Sequence, residues 1–377
     1  MNKYIYILSK IFTNRTNPLY SLSNFSTVIS NILCVLFISI TLSISNGFKN
    51  NVILKITQID GYARIDKQIP YNELREIEDD NFNFINVNTY NLIIRNNSYA
   101  EGVNLVALDN KESIIADYII SVKAKEGLIL GEDLYNRLEI DNNNKVFLYG
   151  YNYLTGSKEI IQTEVVGYFK TDIPDFDSYR VYGDNKIMNS INIKPKRSTL
   201  IIPLKSFQTS NEDEYLNNLN TNYLFRGNLI LWKDSQYKDF YEWLDNYETP
   251  IYFLLFLILI IGIVNNMTCY NIDRINRSKE IYILKVLGMN KNDINSIFYI
   301  KSVLLNIIGI VIGSLISITI LYIESKYHFI KLPSDIYFSD VLPIDIKTKF
   351  YIYPGIILII SNLIILISSN QLYNKNE

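Results

Sequence analysis

Histidine and cysteine are almost missing from this 377-residue chain, which holds one of the first and two of the second. Cys34 and Cys269 both fall inside apolar runs, so a disulfide framework in the soluble part is excluded. His328 has no neighbour at ligand spacing and there is no cysteine cluster, so no metal site is expected. Also missing are a Gly-x-x-x-x-Gly-Lys-Ser/Thr phosphate loop, a Gly-x-Ser-x-Gly elbow and a His-Glu-x-x-His pair. ATP hydrolysis through such a loop is therefore not expected of this chain, and no catalytic residue stands out. A formal net charge of only −2 argues against a nucleic-acid partner held through its phosphates. Arginine is little used beside lysine, asparagine, isoleucine and tyrosine, a drift of composition rather than a chemical signal.

The chain does have long uncharged stretches. Apolar residues make up an ordinary 48%, but they concentrate in Thr16–Phe48, Thr249–Ile272, Ser302–Ile323 and Phe350–Asn374. A helix needs about 20 apolar residues to cross about 30 Å of hydrocarbon, and each run is long enough. Spans are expected at 25–46, 250–270, 302–323 and 351–370. A cleaved signal peptide is a poor account of the first, because its apolar part is long and starts late. No small-x-small cleavage site follows Asn46-Gly47-Phe48 either. Ionisable residues are essentially absent from the spans, which argues against a proton or ion relay within the membrane.

Between the second and third spans, Arg274, Arg277, Lys279, Lys285, Lys291 and Lys301 outnumber Asp273, Glu280 and Asp293. That positive excess beside membrane ends marks a cytoplasmic loop. The expected layout follows: an N-terminal segment 1–24, an outer domain 47–249, a cytoplasmic hairpin 271–301, an outer loop 324–350 and a cytoplasmic tail 371–377. Residues 1–15 fit an amphipathic helix on the membrane surface or a solvated tail.

The fold class expected is an α-helical membrane protein with four spans and a large mixed α/β periplasmic domain between the first two. Strand-like runs recur at Asn51–Ile56, Phe84–Asn88, Asn91–Arg95, Val103–Leu108, Lys145–Tyr149, Ile160–Phe169, Asn192–Lys194 and Leu229–Trp232. Leu130, Leu134 and Leu138 repeat at helical spacing behind Gly131-Glu132-Asp133, and Tyr237, Phe240, Tyr241 and Leu244 form a second helical face. The loop Asp172–Asp177 has oxygen-ligand spacing but lacks the glycine and bidentate glutamate of a calcium loop. It reads as a structural loop or a cation loop. In the third span, Gly309, Gly313 and Ser317 stand at i, i+4 and i+8, a spacing that lets helix backbones approach closely.

The hairpin carries the sharpest pattern. Arg277-Ser278-Lys279-Glu280-Ile281-Tyr282-Ile283-Leu284-Lys285-Val286-Leu287-Gly288-Met289, followed by Ile294 and Phe298, reads as helix, glycine turn and helix. Gly288 is the expected helix terminator, and Asn290 the expected cap of a short second helix with Asp293 in its first turn. This stretch resembles the signature of permeases of the FtsX and MacB type, and within them is most similar to the Lol lipoprotein-releasing permeases. Asn46-Gly47-Phe48, Gly127–Leu134, Val165-Val166-Gly167-Tyr168-Phe169-Lys170, and Ile330–Pro333 with Tyr337–Pro343 extend the likeness. The tail departs from it, because the family's proline-containing cytoplasmic end is absent.

The resemblance implies a non-catalytic permease subunit in the bacterial inner membrane, with both termini cytoplasmic. ATP and Mg would be bound by a separate ABC ATPase, with no cofactor on this chain. The other implied partners are a second permease copy or paralogue, a lipoprotein substrate, a periplasmic lipoprotein carrier and the lipid bilayer. Coupling to the ATPase would fall to Glu280, Ile281, Leu284, Lys285, Gly288, Asp293 and Phe298. A substrate path would pass Asn46, Gly47, Phe48, Pro250 and Phe253. A carrier hairpin would lie at Leu154, Thr155 and Gly156, short and without the expected proline, which would leave carrier docking mainly to another subunit. Two rivals are a mechanotransmission permease that signals to cell-wall hydrolases or an efflux partner, and a membrane-anchored scaffold with no motor.

Overall fold

The computed structural model describes residues 18–70, 82–97, 99–109, 112–122, 126–140, 144–152, 155–188, 192–203 and 229–374. The expected surface segment 1–15, Leu154 of the candidate carrier hairpin and the last three residues of the tail lie outside these. The longer helices are α1 (Pro18–Asp60), α2 (Glu132–Arg137), α3 (Pro174–Tyr179), α4 (Lys238–Asn246), α5 (Glu248–Asn276), α6 (Ser278–Val286), α7 (Lys291–Tyr327) and α8 (Lys349–Asn374). The chain divides into a helical unit of residues 1–49, 245–330 and 342–377, and a sheet unit of residues 50–244 and 331–341.

Three helical stretches are long and apolar enough to cross a membrane: Leu22–Asp60, Lys238–Asn276 and Lys291–Tyr327. Three long apolar helices beside a large α/β unit make this a membrane protein. Helix α8 runs 26 residues and is apolar. The first helix does not stop at the expected boundary after residue 46. Asn51–Ile56, expected as a strand, is its continuation. Val52, Ile56 and Ile59 are buried at helical spacing, and no terminator appears until Gly61, whose φ is +84°. A helix already nucleated propagates cheaply, so the local β-branched bias loses.

Within the helical unit, small residues let the helices touch. A Cβ on Gly309 would lie 2.8 Å from Asn31 Cβ, and one on Gly313 would lie 2.9 Å from the Ile32 carbonyl oxygen. Ser317 takes part in a 2.7 Å bond donated by Ser39 Oγ. The stripe on α7 therefore seats on α1, where there is no room for a larger side chain. Gly313→Leu is expected to cost about 1–3 kcal/mol through overpacking, read as a lower melting temperature of the purified protein in detergent. Polar side chains bridge α5 to α1, α1 to α7 and α7 to α8: Asn266 Nδ2 donates to Asn31 Oδ1 (3.0 Å), Asn31 Nδ2 to Asn306 Oδ1 (2.7 Å), and Ser302 Oγ to Asn362 Oδ1 (2.9 Å).

The sheet unit is built on one ten-stranded sheet among the described residues. Its strands are β1 (Ala63–Ile65), β2 (Phe82–Asn96), β3 (Tyr99–Leu108), β4 (Ile119–Val122), β5 (Leu128–Gly131), β6 (Lys145–Asn152), β7 (Ser157–Phe169), β8 (Arg180–Asp184), β9 (Lys196–Pro203) and β10 (Leu229–Leu231). The order is β10-β1-β9-β2-β3-β8-β5-β7-β4, with β6 pairing β2 and β7. Most neighbours are antiparallel, while β3 with β8 and β5 with β7 are parallel. The runs Phe84–Asn88 and Asn91–Arg95 merge into the single strand β2. Asn192–Lys194 is irregular, and the strand begins at Lys196. The core gathers Leu92, Ile94, Leu105, Leu128, Leu130, Leu148, Val165 and Val181 from alternate positions of these strands. Leu130, Leu134 and Leu138 are fully buried around α2, whose first turn carries Glu132 and Asp133.

The Asp172–Asp177 loop uses its carboxylates internally. Asp177 accepts from the backbone N–H groups of Thr171 and Asp172 and from Thr171 Oγ1, at 2.8–3.1 Å. Lys55 Nζ meets Asp172 Oδ2 at 2.9 Å. Closure of the loop is thus a structural role for these acids.

Candidate functional site

The hairpin joins α5 to α7. Helix α5 ends at Asn276, and Arg277, with φ −101° and ψ 19°, breaks it before α6 starts. At the far end of α6 the backbone forms a Schellman closure. Met289 N–H donates to the Leu284 carbonyl (3.1 Å) and Gly288 N–H to that of Lys285 (2.9 Å), with Gly288 at φ +87°. That left-handed position suits glycine or asparagine. Asn290 is the N-cap residue of α7, but its side chain makes no capping bond; its backbone carbonyl accepts from Asp293 and Ile294. Helix α7 is no short helix. It runs 37 residues, so the second arm of the hairpin and the third span are one rod.

The hairpin has two faces. Tyr270, Ile294 and Phe298 are buried together, and Met267, Ile281, Leu284 and Met289 pack on them. Ile281, Leu284 and Phe298 therefore brace the turn. The opposite face is bare: Tyr282, Ile283, Val286 and Leu287 are 56–76% exposed, and α6 has no buried residue. Lys285 lies on this exposed side, while Asp293 stands in the first turn of α7.

Nothing surrounds Gly288 within 4 Å of an added Cβ, so a substitution there meets backbone strain alone. Gly288→Val is expected to cost about 1–2 kcal/mol, the usual left-handed penalty for an L residue, whereas Gly288→Asn should cost less. The check is the melting temperature of the purified protein in detergent. It should fall for valine and hold closer to wild type for asparagine.

Beneath the turn lies a charge cluster. Lys301 Nζ is 2.6 Å from Asp273 Oδ2, Arg277 Nε is 3.5 Å from Asp273 Oδ1, and Arg277 Nη1 is 3.0 Å from Glu280 Oε2. Lys301 and Arg277 are each 1% exposed and Asp273 6%. The sequence reading uses Asp273, Arg277 and Lys301 only for their sign, as part of the loop's charge balance, while Glu280 is an expected coupling residue. A finer signal was present. Asp273 follows Asn266, Cys269 and Tyr270 at helical spacing, and Lys301 follows Ile294, Ile297 and Phe298, so both lie on buried stripes.

The remaining expected residues fall elsewhere. Asn46 Nδ2 donates to Asp345 Oδ2 (2.6 Å), and Phe48 meets Tyr247 edge to face at 5.8 Å. A Cβ on Gly47 would lie 2.5 Å from the Pro343 carbonyl oxygen. These three residues hold the chain together, while Pro250 and Phe253 are exposed. Thr155 and Gly156 form an exposed turn between β6 and β7, in which Thr155 N–H donates to Asn152 Oδ1 (3.3 Å).

From α5 onward the chain sets a braced hairpin between two long apolar helices. Residues 252–376, about a third of the chain, match the family of the FtsX-like permease C-terminal domain. The match supports the FtsX/MacB-type permease family and indicates an ABC transporter permease subunit. Members of that family are non-catalytic membrane subunits, and the family implies an ABC ATPase partner. No curated protein matches the chain.

Proposed function

We propose that this chain is the permease of a complex that uses ATP hydrolysed by a partner subunit to release lipoproteins from the inner membrane toward a periplasmic carrier. The observation that carries the coupling half is the bare apolar strip Tyr282, Ile283, Val286 and Leu287 on a helix braced from behind. Four large apolar side chains exposed on one nine-residue helix and its cap suit a protein contact. The lipoprotein half is supported by the likeness of Asn46-Gly47-Phe48 and Val165–Lys170 to the Lol permeases. Extraction needs work: each buried acyl CH₂ holds an anchor by about 0.8 kcal/mol, so a triacylated protein does not leave unaided.

The hairpin lies in the cytoplasm on this reading, and Ser334 in the periplasm. Cysteine at position 278 should then resist a membrane-impermeant maleimide in intact cells, and cysteine at 334 should react. Reconstitution with the ATPase and a lipoprotein, scored for ATP-dependent transfer to the carrier, tests the substrate. ATP hydrolysis that leaves the lipoprotein in the bilayer would favour a mechanotransmission permease. Failure of any ATPase to bind would favour a motor-less scaffold.

A further inference from the structure

The sheet unit is entered from α1 and left toward α4 and α5 through adjacent strands. Strand β1 follows α1, β10 precedes α4, and they pair with Ala63 opposite Leu231. Both sit at one end of the sheet order. One carboxylate gathers these two connections. Asp60, the last residue of α1, accepts from Arg180 Nη1 of β8 (2.7 Å), from Gln236 Nε2 (3.0 Å) and from Tyr237 Oη (3.0 Å). Gln236 and Tyr237 stand immediately before α4. In sheet order, β9, β2 and β3 lie between β1 and β8, so the bond to Arg180 reaches a strand that does not pair with β1.

The placement is unfavourable locally. A helix C-terminus carries partial negative charge and suits a cation, not an acid. An aspartate there is compensated by cations and donors around it: its hydrogen-bond partners come from two other elements, and Arg64 on β1 adds a further attraction. The partners are themselves fixed. The Arg180 guanidinium lies 4.8 Å from the Phe176 ring centre, and Phe176 meets the Tyr237 ring at 6.4 Å. Burial opposes the charge on Arg180, yet Asp60 outweighs it and raises the guanidinium above its ordinary pKa. Burial, with Asp60 adding to it, raises the Tyr237 hydroxyl, which stays a donor. The side chains of Asp60 and Arg180 are each only 11% exposed. Directly beyond, Gly61 at φ +84° ends the helix, and its missing Cβ would lie 2.9 Å from the Ala63 carbonyl oxygen.

From this convergence we infer that Asp60 is a positioning residue that makes the end of α1, the approach to α5 and strand β8 move as one piece. Displacement of either long helix then reaches the middle of the sheet through a charge-assisted bond instead of dissipating at the β10–β1 end of the sheet. The inference rests on the reading of the chain as an ATPase-coupled permease, and adds the residue at which motion enters the outer domain.

The test is hydrogen exchange of the permease–ATPase complex in lipid nanodiscs, without nucleotide and with ATP plus vanadate. Three segments are followed: the hairpin 278–298, the approach 232–246 and strand β8. In the wild type all three should change protection on nucleotide trapping. In Asp60→Asn the change at β8 should shrink at least threefold while the hairpin responds as before. Tyr237→Phe, which removes one donor and keeps the ring, should give a smaller loss at an unchanged melting temperature. It carries the test if Asp60→Asn does not fold. A β8 response that survives in the variants, or is absent in the wild type while the hairpin responds, overturns the inference and leaves the permease reading standing. A wild-type hairpin that does not respond overturns both.

Discussion

Lys301→Met is expected to lower stability by about 3 kcal/mol, at the low end of the range for breaking a buried ion pair. The substitution keeps a long, unbranched side chain and leaves Asp273 as a buried carboxylate. Among the described residues Asp273 then keeps an ion-pair contact to Arg277 Nε at 3.5 Å, longer than a good charge-assisted bond. That contact is why the cost stays near the low end. The double variant Asp273→Asn/Lys301→Met should recover most of the loss, because a neutral amide no longer demands a cation. Unfolding in detergent, followed side by side for the wild type, Lys301→Met, Asp273→Asn and the double variant, measures the coupling directly. Additive losses would mean that the two side chains do not depend on each other.

The same cluster shows where the sequence stopped being legible. Sign and spacing in the sequence speak to the side of the membrane expected for the hairpin, but not to the depth at which each charge sits. Depth depends on how α5 and α7 pack, and Lys301 reaches Asp273 only because Phe298, Ile294 and Tyr270 bring the two helices together. The glycine turn was legible for the opposite reason: a Schellman closure is local, and Gly288 alone dictates it. Likewise Leu130, Leu134 and Leu138 could be read as one helical face, since a period of four needs no partner to be seen. Asn51–Ile56 misled because its β-branched residues speak only for a short window, whereas the helix that absorbs them was nucleated far upstream. Asn31, Asn266 and Asn306 are equally silent in sequence. Each sits in a largely apolar run, and only helix packing shows that they bond to one another.

Packing also separates residues that the hairpin signature presents as a set, and the separation predicts two different failures. Leu284→Asp sets a charge against Tyr270, Ile294 and Phe298. It should destabilise the hairpin by about 2 kcal/mol or more, since an apolar site offers that charge no partner. Val286→Asp and Leu287→Asp act on side chains 69% and 76% exposed, so stability should stay within about 0.5 kcal/mol of wild type. If the bare strip is the ATPase contact, they should instead weaken capture of the ATPase. A well-packed apolar anchor contributes about 2 kcal/mol or more to an interface, which is about thirtyfold in affinity. The measurement pairs a melting curve with ATPase binding to the detergent-solubilised permease for each variant. The expected pattern is crossed: Leu284→Asp lowers melting, while Val286→Asp and Leu287→Asp keep melting and lose binding. Full binding by both exposed-strip variants would remove the strip from the coupling surface and leave the charged residues Glu280, Lys285 and Asp293 to carry it.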